Sequence, residues 1–133
     1  MTKKIVLVGH CGPDCSYLRM AVKNAFRDAD VYMADDDREL EQAIARGADL
    51  LLLNRQLEYG FKDHYGVDVI RRLRARHAEL KMMLVSNYAD AQAEAVEAGA
   101  LPGFGKREIG SARVSELLRA ALGSGQTSTT VDG

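Results

Sequence analysis

Asp49-Leu50-Leu51-Leu52-Leu53-Asn54 is the stretch on which the fold turns. An unbroken apolar run of this length reads as a strand covered on both faces, the situation of a central strand in a parallel sheet rather than a half-exposed antiparallel one. Working outward, Ile5-Val6-Leu7-Val8 is a second buried run that stops at Gly9, and Met82-Met83-Leu84-Val85 is a third that stops at Ser86. Val31-Tyr32-Met33-Ala34 is shorter, and Ala100 to Phe104 is weak, with Pro102 confining it to a sheet edge. Helical spacing separates these runs. Leu18, Ala21, Val22, Ala25 and Phe26 mark a helix from about Pro13 to Asp28, for which Asp14 or Ser16 is a candidate cap. Asp35, Asp36 and Asp37 precede Leu40, Ala43 and Ile44, where the helix dipole favours acids. Val67, Ile70 and Leu73 mark a third helix, Ala89 to Ala98 a fourth, and Val114, Leu117, Leu118, Ala121 and Leu122 a fifth.

Five strands alternating with five helices predict a doubly wound α/β sheet, because parallel neighbours need crossovers of one hand. In such a sheet the chemistry gathers at the carboxyl ends of the strands. Those ends carry Gly9, His10 and Cys11, then Asn54, Ser86 and Lys106. The connector from Arg55 to Tyr65 is long and polar, and such loops are often functional. With Tyr59, Phe61 and Tyr65 it is the leading candidate for a partner-binding loop.

Composition bounds the rest. The 133 residues, 47% hydrophobic and 28% charged, are enough for one domain with its own core. The domain is expected over residues 1–122, with a disordered Gly/Ser/Thr-rich tail over 123–133 too short to be an output domain. A net charge of -1 gives no strong pull toward nucleic acid or an anionic membrane, so neither is an expected partner. No apolar run is long enough to span a bilayer or resembles a secretion signal, and the expected location is cytoplasmic. Cys11 and Cys15 read as reduced thiols rather than a disulfide framework. His10, Cys11 and Cys15 fall short of a tetrahedral set, so no metal site is expected there.

Leu84-Val85-Ser86-Asn87-Tyr88-Ala89-Asp90, then Glu97-Ala98-Gly99-Ala100 and Lys106, resemble the fourth strand, fourth helix and lysine-bearing fifth strand of the response-regulator receiver domains, the CheY-like superfamily of two-component signalling. The likeness runs from about Lys3 to Leu122 and implies a flavodoxin-like (βα)5 sheet of strand order 2-1-3-4-5. A working receiver has two acids after strand one, an aspartate ending strand three, a hydroxyl ending strand four and a lysine ending strand five. The acids and aspartate hold Mg²⁺, the aspartate attacks phosphorus, and the hydroxyl and lysine read the phosphoryl oxygens. Here the last two remain as Ser86 and Lys106, while the acid positions fall on Gly9 and His10 and the phosphoacceptor position on Asn54.

An amide forms no acyl phosphate, so the resemblance implies a degenerate pseudo-receiver with Mg²⁺ binding lost or weak, no catalytic residue and no enzymatic activity. The family's switch aromatic falls on Gly103, and the loop after Asn54 is several residues longer than usual. Such a chain is expected to act through a protein partner, with a homodimer through the fourth helix, fifth strand and fifth helix as a further mode. With three acids gone, Lys106, Ser86, the first helix's N-terminus and a protonated His10 are expected to attract a small anion.

Ser86 reads equally as a cap for the helix near Ala89. The competing reading is a phosphocarrier or phosphatase-like enzyme built on Cys11, since Cys11-Gly12-Pro13-Asp14-Cys15-Ser16-Tyr17 superficially looks like the loops of sugar-phosphotransferase IIB components and low-molecular-weight tyrosine phosphatases. Tyr17 stands where that phosphatase loop needs an arginine, and the IIB alternative gives no account of Ser86 and Lys106.

Overall fold

The computed structural model describes residues 2–123. Five strands, β1 (Lys4–Val8), β2 (Asp30–Ala34), β3 (Leu50–Asn54), β4 (Met82–Val85) and β5 (Leu101–Phe104), form one sheet of order β2-β1-β3-β4-β5 in which every pairing is parallel. Helices α1 (Gly12–Ala25), α2 (Asp37–Ala45), α3 (Gly66–Arg76), α4 (Ala89–Glu97) and α5 (Ala112–Leu122) make the crossovers, with a short 3₁₀ turn at Lys106–Glu108. The expected flavodoxin-like α/β sheet is the one observed. The tail expected over 123–133 lies almost wholly outside the described residues.

Alternation along the buried strands splits the core in two. Ile5, Leu7, Leu50, Leu52, Met83 and Val85 face Leu18, Val22, Val114 and Leu118 of α1 and α5. Val6, Val8, Leu51, Leu53, Met82 and Leu84 face Leu40, Ile70, Leu73 and Ala95 of α2, α3 and α4. The leucine run is fully buried on both sides because period-two alternation sends two of its leucines into each layer. Each is worth about 1.5–3 kcal/mol of transfer free energy.

Local signals place the helices closely. The triple aspartate does start α2: the Asp36 side chain accepts the Glu39 N–H at 2.7 Å, and Glu39 Oε1 accepts the Asp35 N–H at 2.8 Å. Neither Asp14 nor Ser16 caps α1. Its N-cap is Cys11, without a side-chain cap, because Pro13 sets the first turn one step earlier than the polar residues suggested. No described helix is long and apolar enough to cross a membrane.

Candidate functional site

Asn54, at the carboxyl end of β3, is held by its own amide. Its Nδ2 donates to Gly9 O and to Gln56 O, both at 3.1 Å, and its Oδ1 accepts the Arg55 N–H at 3.1 Å. Both protons and one lone pair are thus spent on backbone, so the position calls for an amide in particular. A carboxylate would set an oxygen against two carbonyl oxygens.

The connector expected to be a polar loop is a small hairpin folded back over this edge. Gln56 and Tyr65 form an antiparallel bridge, and the Leu57 N–H donates to His64 O at 2.8 Å. Leu57 is buried and Phe61 partly buried, both packed on the α2–α4 core layer. The reason is Gly9, whose φ of 72° and missing Cβ leave a space that Leu57 fills: a Cβ there would overlap Leu57 Cδ2. Where a receiver would keep its first acid, an apolar side chain lies on bare backbone. The hairpin is anchored from the other side as well. Asp37 N–H donates to Gly60 O at 2.9 Å, and the Asp37 carboxylate accepts the Lys62 N–H at 2.9 Å. Arg72 of α3 meets Asp63 at 2.9 Å and Asp37 at 3.5 Å. What remains exposed is the tip, with Tyr59 at 95%, and Tyr65 at 46%.

His10 is turned inward and is only 6% exposed, its Nε2 within 2.9 Å of Leu52 O. Burial pushes the imidazole down from 6.5 to about 4, against the Leu52 carbonyl, which favours the charged ring, and with the help of Lys106. At neutral pH it is therefore neutral with Nε2–H donating, and its buried Nδ1 has no partner among the described residues. Lys106 Nζ pairs with Asp14 Oδ2 at 2.7 Å, and this hydrogen bond holds the Asp14 carboxyl below its usual range. The expected four-group anion site is therefore not assembled. His10 carries no charge, and Asp14 in the first turn of α1 takes Lys106 and places a negative charge at that helix terminus.

Cys11 is exposed and Cys15 buried, where desolvation raises its thiol. Cys11 lies beside Asp14 and helps hold its carboxyl low, so a nucleophilic sulfur there would face a carboxylate, which is poor support for a phosphocarrier. Among the described residues no three His, Cys, Asp or Glu side chains gather as a metal would require.

Across Asn54, the β4–β5 end is organised by a residue that nothing in the sequence singled out. Gln92 of α4 donates through Nε2 to Leu84 O (2.8 Å), Ser86 O (3.1 Å) and Phe104 O (3.3 Å), and accepts the Gly103 N–H at 3.2 Å. The ladder between β4 and β5 is irregular between Met83 and Val85, and the Gln92 amide bonds backbone groups of both strands at that end. A Cβ on Gly103 would overlap Leu84 O and crowd Gln92 Oε1, so the position at which the resemblance sets a switch aromatic has no room for any side chain. Gln92→Ala is expected to cost about 2 kcal/mol through unsatisfied backbone groups. Amide exchange at Gly103 should accelerate in the same variant, and unchanged protection there would show that Gln92 is not the clasp.

Ser86 is 6% exposed, and its Oγ accepts the Tyr88 N–H at 3.1 Å. It closes a turn ahead of α4 rather than capping the helix, whose N-cap is Tyr88. The Arg55 guanidinium stacks over the Tyr88 ring at 4.7 Å from the centroid, joining the loops after β3 and β4. Asn54 thus stands between two cavities. One, of about 310 Å³, is lined by His10, Cys11, Asp35, Glu58 and the hairpin aromatics Tyr59 and Phe61. The other, of about 170 Å³, is lined by Arg55, Ser86, Asn87, Tyr88 and Lys106.

No protein-family model and no curated protein matches this sequence. Solved structures do resemble it. The signal receiver domain of a DNA-binding response regulator from Colwellia psychrerythraea 34H aligns over 91% of this chain and 98% of its own, at 15% identity and a TM-score of 0.71. A response regulator from Thermotoga maritima aligns over 92% of this chain and 99% of its own, at 22% identity and 0.69. The beryllofluoride-activated NtrC4 receiver domain dimer aligns over 92% and 98%, at 17% identity and 0.75. The fold is the receiver fold. At these identities the likeness is one of architecture, and it puts the ends of β1, β3, β4 and β5 at one edge.

On that receiver fold the structure brings Gly9, His10, Asn54, Ser86 and Lys106 to the expected edge but disperses them chemically. His10 turns to β3, Lys106 to α1, and Asn54 to backbone carbonyls. The residues missed in the sequence are Leu57, Arg55, Asp14 as the lysine's partner, and Gln92. Gly9 and Gly103 were the available signals, since a glycine in place of a functional side chain marks a spot that something else occupies.

Proposed function

We propose that this chain is a receiver-like module of two-component signalling that acts without accepting a phosphoryl group, by binding another protein. What supports the first half is the receiver fold over nine-tenths of the chain. The observation that carries the second is the Asn54 amide, which gives both of its protons to the Gly9 and Gln56 carbonyls. The degenerate positions then form one arrangement: Leu57 covers Gly9, His10 is buried and neutral, and Lys106 is paired with Asp14. On this reading the module works without Mg²⁺, is no enzyme and belongs in the cytoplasm.

The partner surface is the hairpin tip with Tyr59 and Tyr65, large amphipathic side chains that suit an interface at low entropic cost. A second face runs along α4, β5 and α5, where Gln92, Val96, Gly103 and Arg107 line a groove of about 730 Å³. One structural neighbour is a receiver domain dimer, which makes self-association through that face a readout worth taking alongside partner capture.

Intact-mass measurement after incubation with acetyl phosphate and Mg²⁺ tests the reading. Wild type is expected to gain no phosphoryl mass, and a stable adduct on any side chain would overturn the proposal. Asn54→Asp run beside it is expected to lose about 2 kcal/mol of stability, as carboxylate oxygens meet two carbonyls, and to melt about 6–10 °C lower. A variant as stable as wild type would show that the amide is not required.

A further inference from the structure

β2 is the outermost strand on its side of the sheet and pairs with β1 alone. The Asp30 N–H donates to Lys3 O at 2.8 Å and the Gly9 N–H to Ala34 O at 3.0 Å, so Asp30, Tyr32 and Ala34 face β1. The residues between them turn the other way in a parallel ladder. Val31 and Met33 therefore present their N–H and C=O groups outward, unpaired among the described residues. Proline or a bulge commonly blunts such an edge, but β2 has no proline and keeps an unbroken register with β1 from Asp30 to Ala34. Tyr32 and Met33, on opposite faces of the strand, are 42% and 48% exposed. Beside the strand, on the α2 side, lies a cavity of about 380 Å³ whose apolar walls include Val6, Ala43 and Ala48. Charge surrounds the edge unevenly. From Arg27 to Glu39 the chain carries six carboxylates against two arginines, and Asp28, Asp30 and Asp35, at the two ends of β2, are exposed. A second copy laid antiparallel along β2 would set acid-rich end against acid-rich end, which like charge disfavours.

We infer that the β2 edge is a strand-addition site for an extended segment of another protein, apolar at its centre and flanked by lysine or arginine. Main-chain bonds to Val31 and Met33 hold the added strand, and one of its alternate side chains enters the cavity. Its flanking cations meet Asp28, Asp30 and Asp35, the same acids that disfavour a second copy. The centre is apolar because Lys4 and Arg46 also line the cavity and disfavour a further cation inside it. This edge is continuous with the hairpin. Gly60 O accepts the Asp37 N–H at 2.9 Å, which seats the tip with Tyr59 beside the carboxyl end of β2. The site rests on the reading of the chain as a partner-binding module and is indifferent to whether Asn54 accepts a phosphoryl group.

The test is an amide chemical-shift titration of the whole chain with a synthetic peptide of alternating valine and threonine, as long as β2 and carrying lysines at both ends. Saturable shifts centred on Val31, Tyr32 and Met33 are expected, with slowed hydrogen exchange at the Val31 and Met33 amides. The same peptide with glutamates at its ends, or with N-methylated backbone amides, should bind at least about tenfold more weakly. Met33→Pro deletes one outward N–H and no bond to β1, so it should fold, as a thermal melt checks, and weaken binding by a similar factor. Asp28→Asn combined with Asp30→Asn leaves the backbone edge intact and should weaken the lysine peptide several-fold, which keeps the test decisive if the proline variant unfolds. Absent saturation, equal binding of the glutamate peptide, or binding indifferent to these substitutions would overturn the site. Two other occupants would overturn it as well: a second copy, if sedimentation shows a dimer that Met33→Pro dissolves, and residues 124–133, if their removal speeds exchange at Val31 and Met33. A peptide that fails to bind leaves the hairpin tip and the face along α4, β5 and α5 as partner surfaces, so this site and the wider reading fall separately.

Discussion

The Gly9→Asp, Asn54→Asp double variant is expected to lose about 4–7 kcal/mol of unfolding free energy without becoming a phosphoacceptor. Gly9 has φ of 72°, a left-handed conformation that costs an L-residue about 1–2 kcal/mol, although aspartate tolerates it better than most. Its new Cβ would displace Leu57 from the contact it now makes, and a carboxylate would enter that apolar neighbourhood, adding about 1–3 kcal/mol. Asn54→Asp contributes about 2 kcal/mol more from its backbone partners. The two positions touch through the Asn54 Nδ2–Gly9 O bond, so the sum is approximate. Domains of this size have only about 5–15 kcal/mol to lose, which makes the effect large in urea denaturation with both single variants alongside. Wild-type stability together with Mg²⁺-dependent phosphoryl uptake would mean that Leu57 is a movable lid rather than part of the core.

His10 should make the protein acid-labile over a defined window. Its imidazole is held at about 4 in the folded state, against 6.5 when exposed, with burial as the main cause. Between those values the unfolded chain binds a proton that the folded chain refuses, so stability falls as pH falls, by up to about 1.4 kcal/mol per unit. The full stability is present above pH 6.5, and about 3 kcal/mol of it is gone near pH 4. Asp14, whose carboxyl is depressed by Lys106, acts in the same direction but below its ordinary value of 3.8, so it does not blur the window. His10→Gln can place an amide nitrogen near the Nε2 position and cannot titrate. The difference between wild type and His10→Gln, measured by urea unfolding at a series of pH values, should therefore carry the slope. Parallel pH curves for the two proteins would show that another group is responsible.

The fold was legible because burial writes a plain pattern into parallel strands. Leu50 to Leu53, Ile5 to Val8 and Met82 to Val85 are uniformly apolar since both faces are covered, and they ended within a residue or two of where the chain leaves the sheet. The helix spacing between them then admitted one alternating order. The edge positions were legible for the same reason: Gly9, His10, Asn54, Ser86 and Lys106 follow the strand ends, and strand ends share an edge in a parallel sheet.

What those residues do at the edge was not legible, because it depends on partners distant in the chain. The hairpin from Arg55 to Tyr65 looked polar, yet the Leu57 and Phe61 within it close on Gly9 and the α2–α4 layer. His10 looked like a cation until the Leu52 carbonyl and burial made it neutral. Lys106 looked like an anion reader, and Asp14 holds it. Gln92 had no signature at all, since a helical glutamine is ordinary until the packing of α4 sets its amide against the backbone of β4 and β5. By itself the sequence determined the strand and helix periods, the parallel sheet and the absence of a carboxylate at Gly9, His10 and Asn54, all of which are properties of residues in local order. Only the tertiary structure decided the charge state of His10, the partner of Lys106 and the closing of the site by Leu57. Those follow from desolvation and contact distance, which exist only once segments far apart in the chain are packed together.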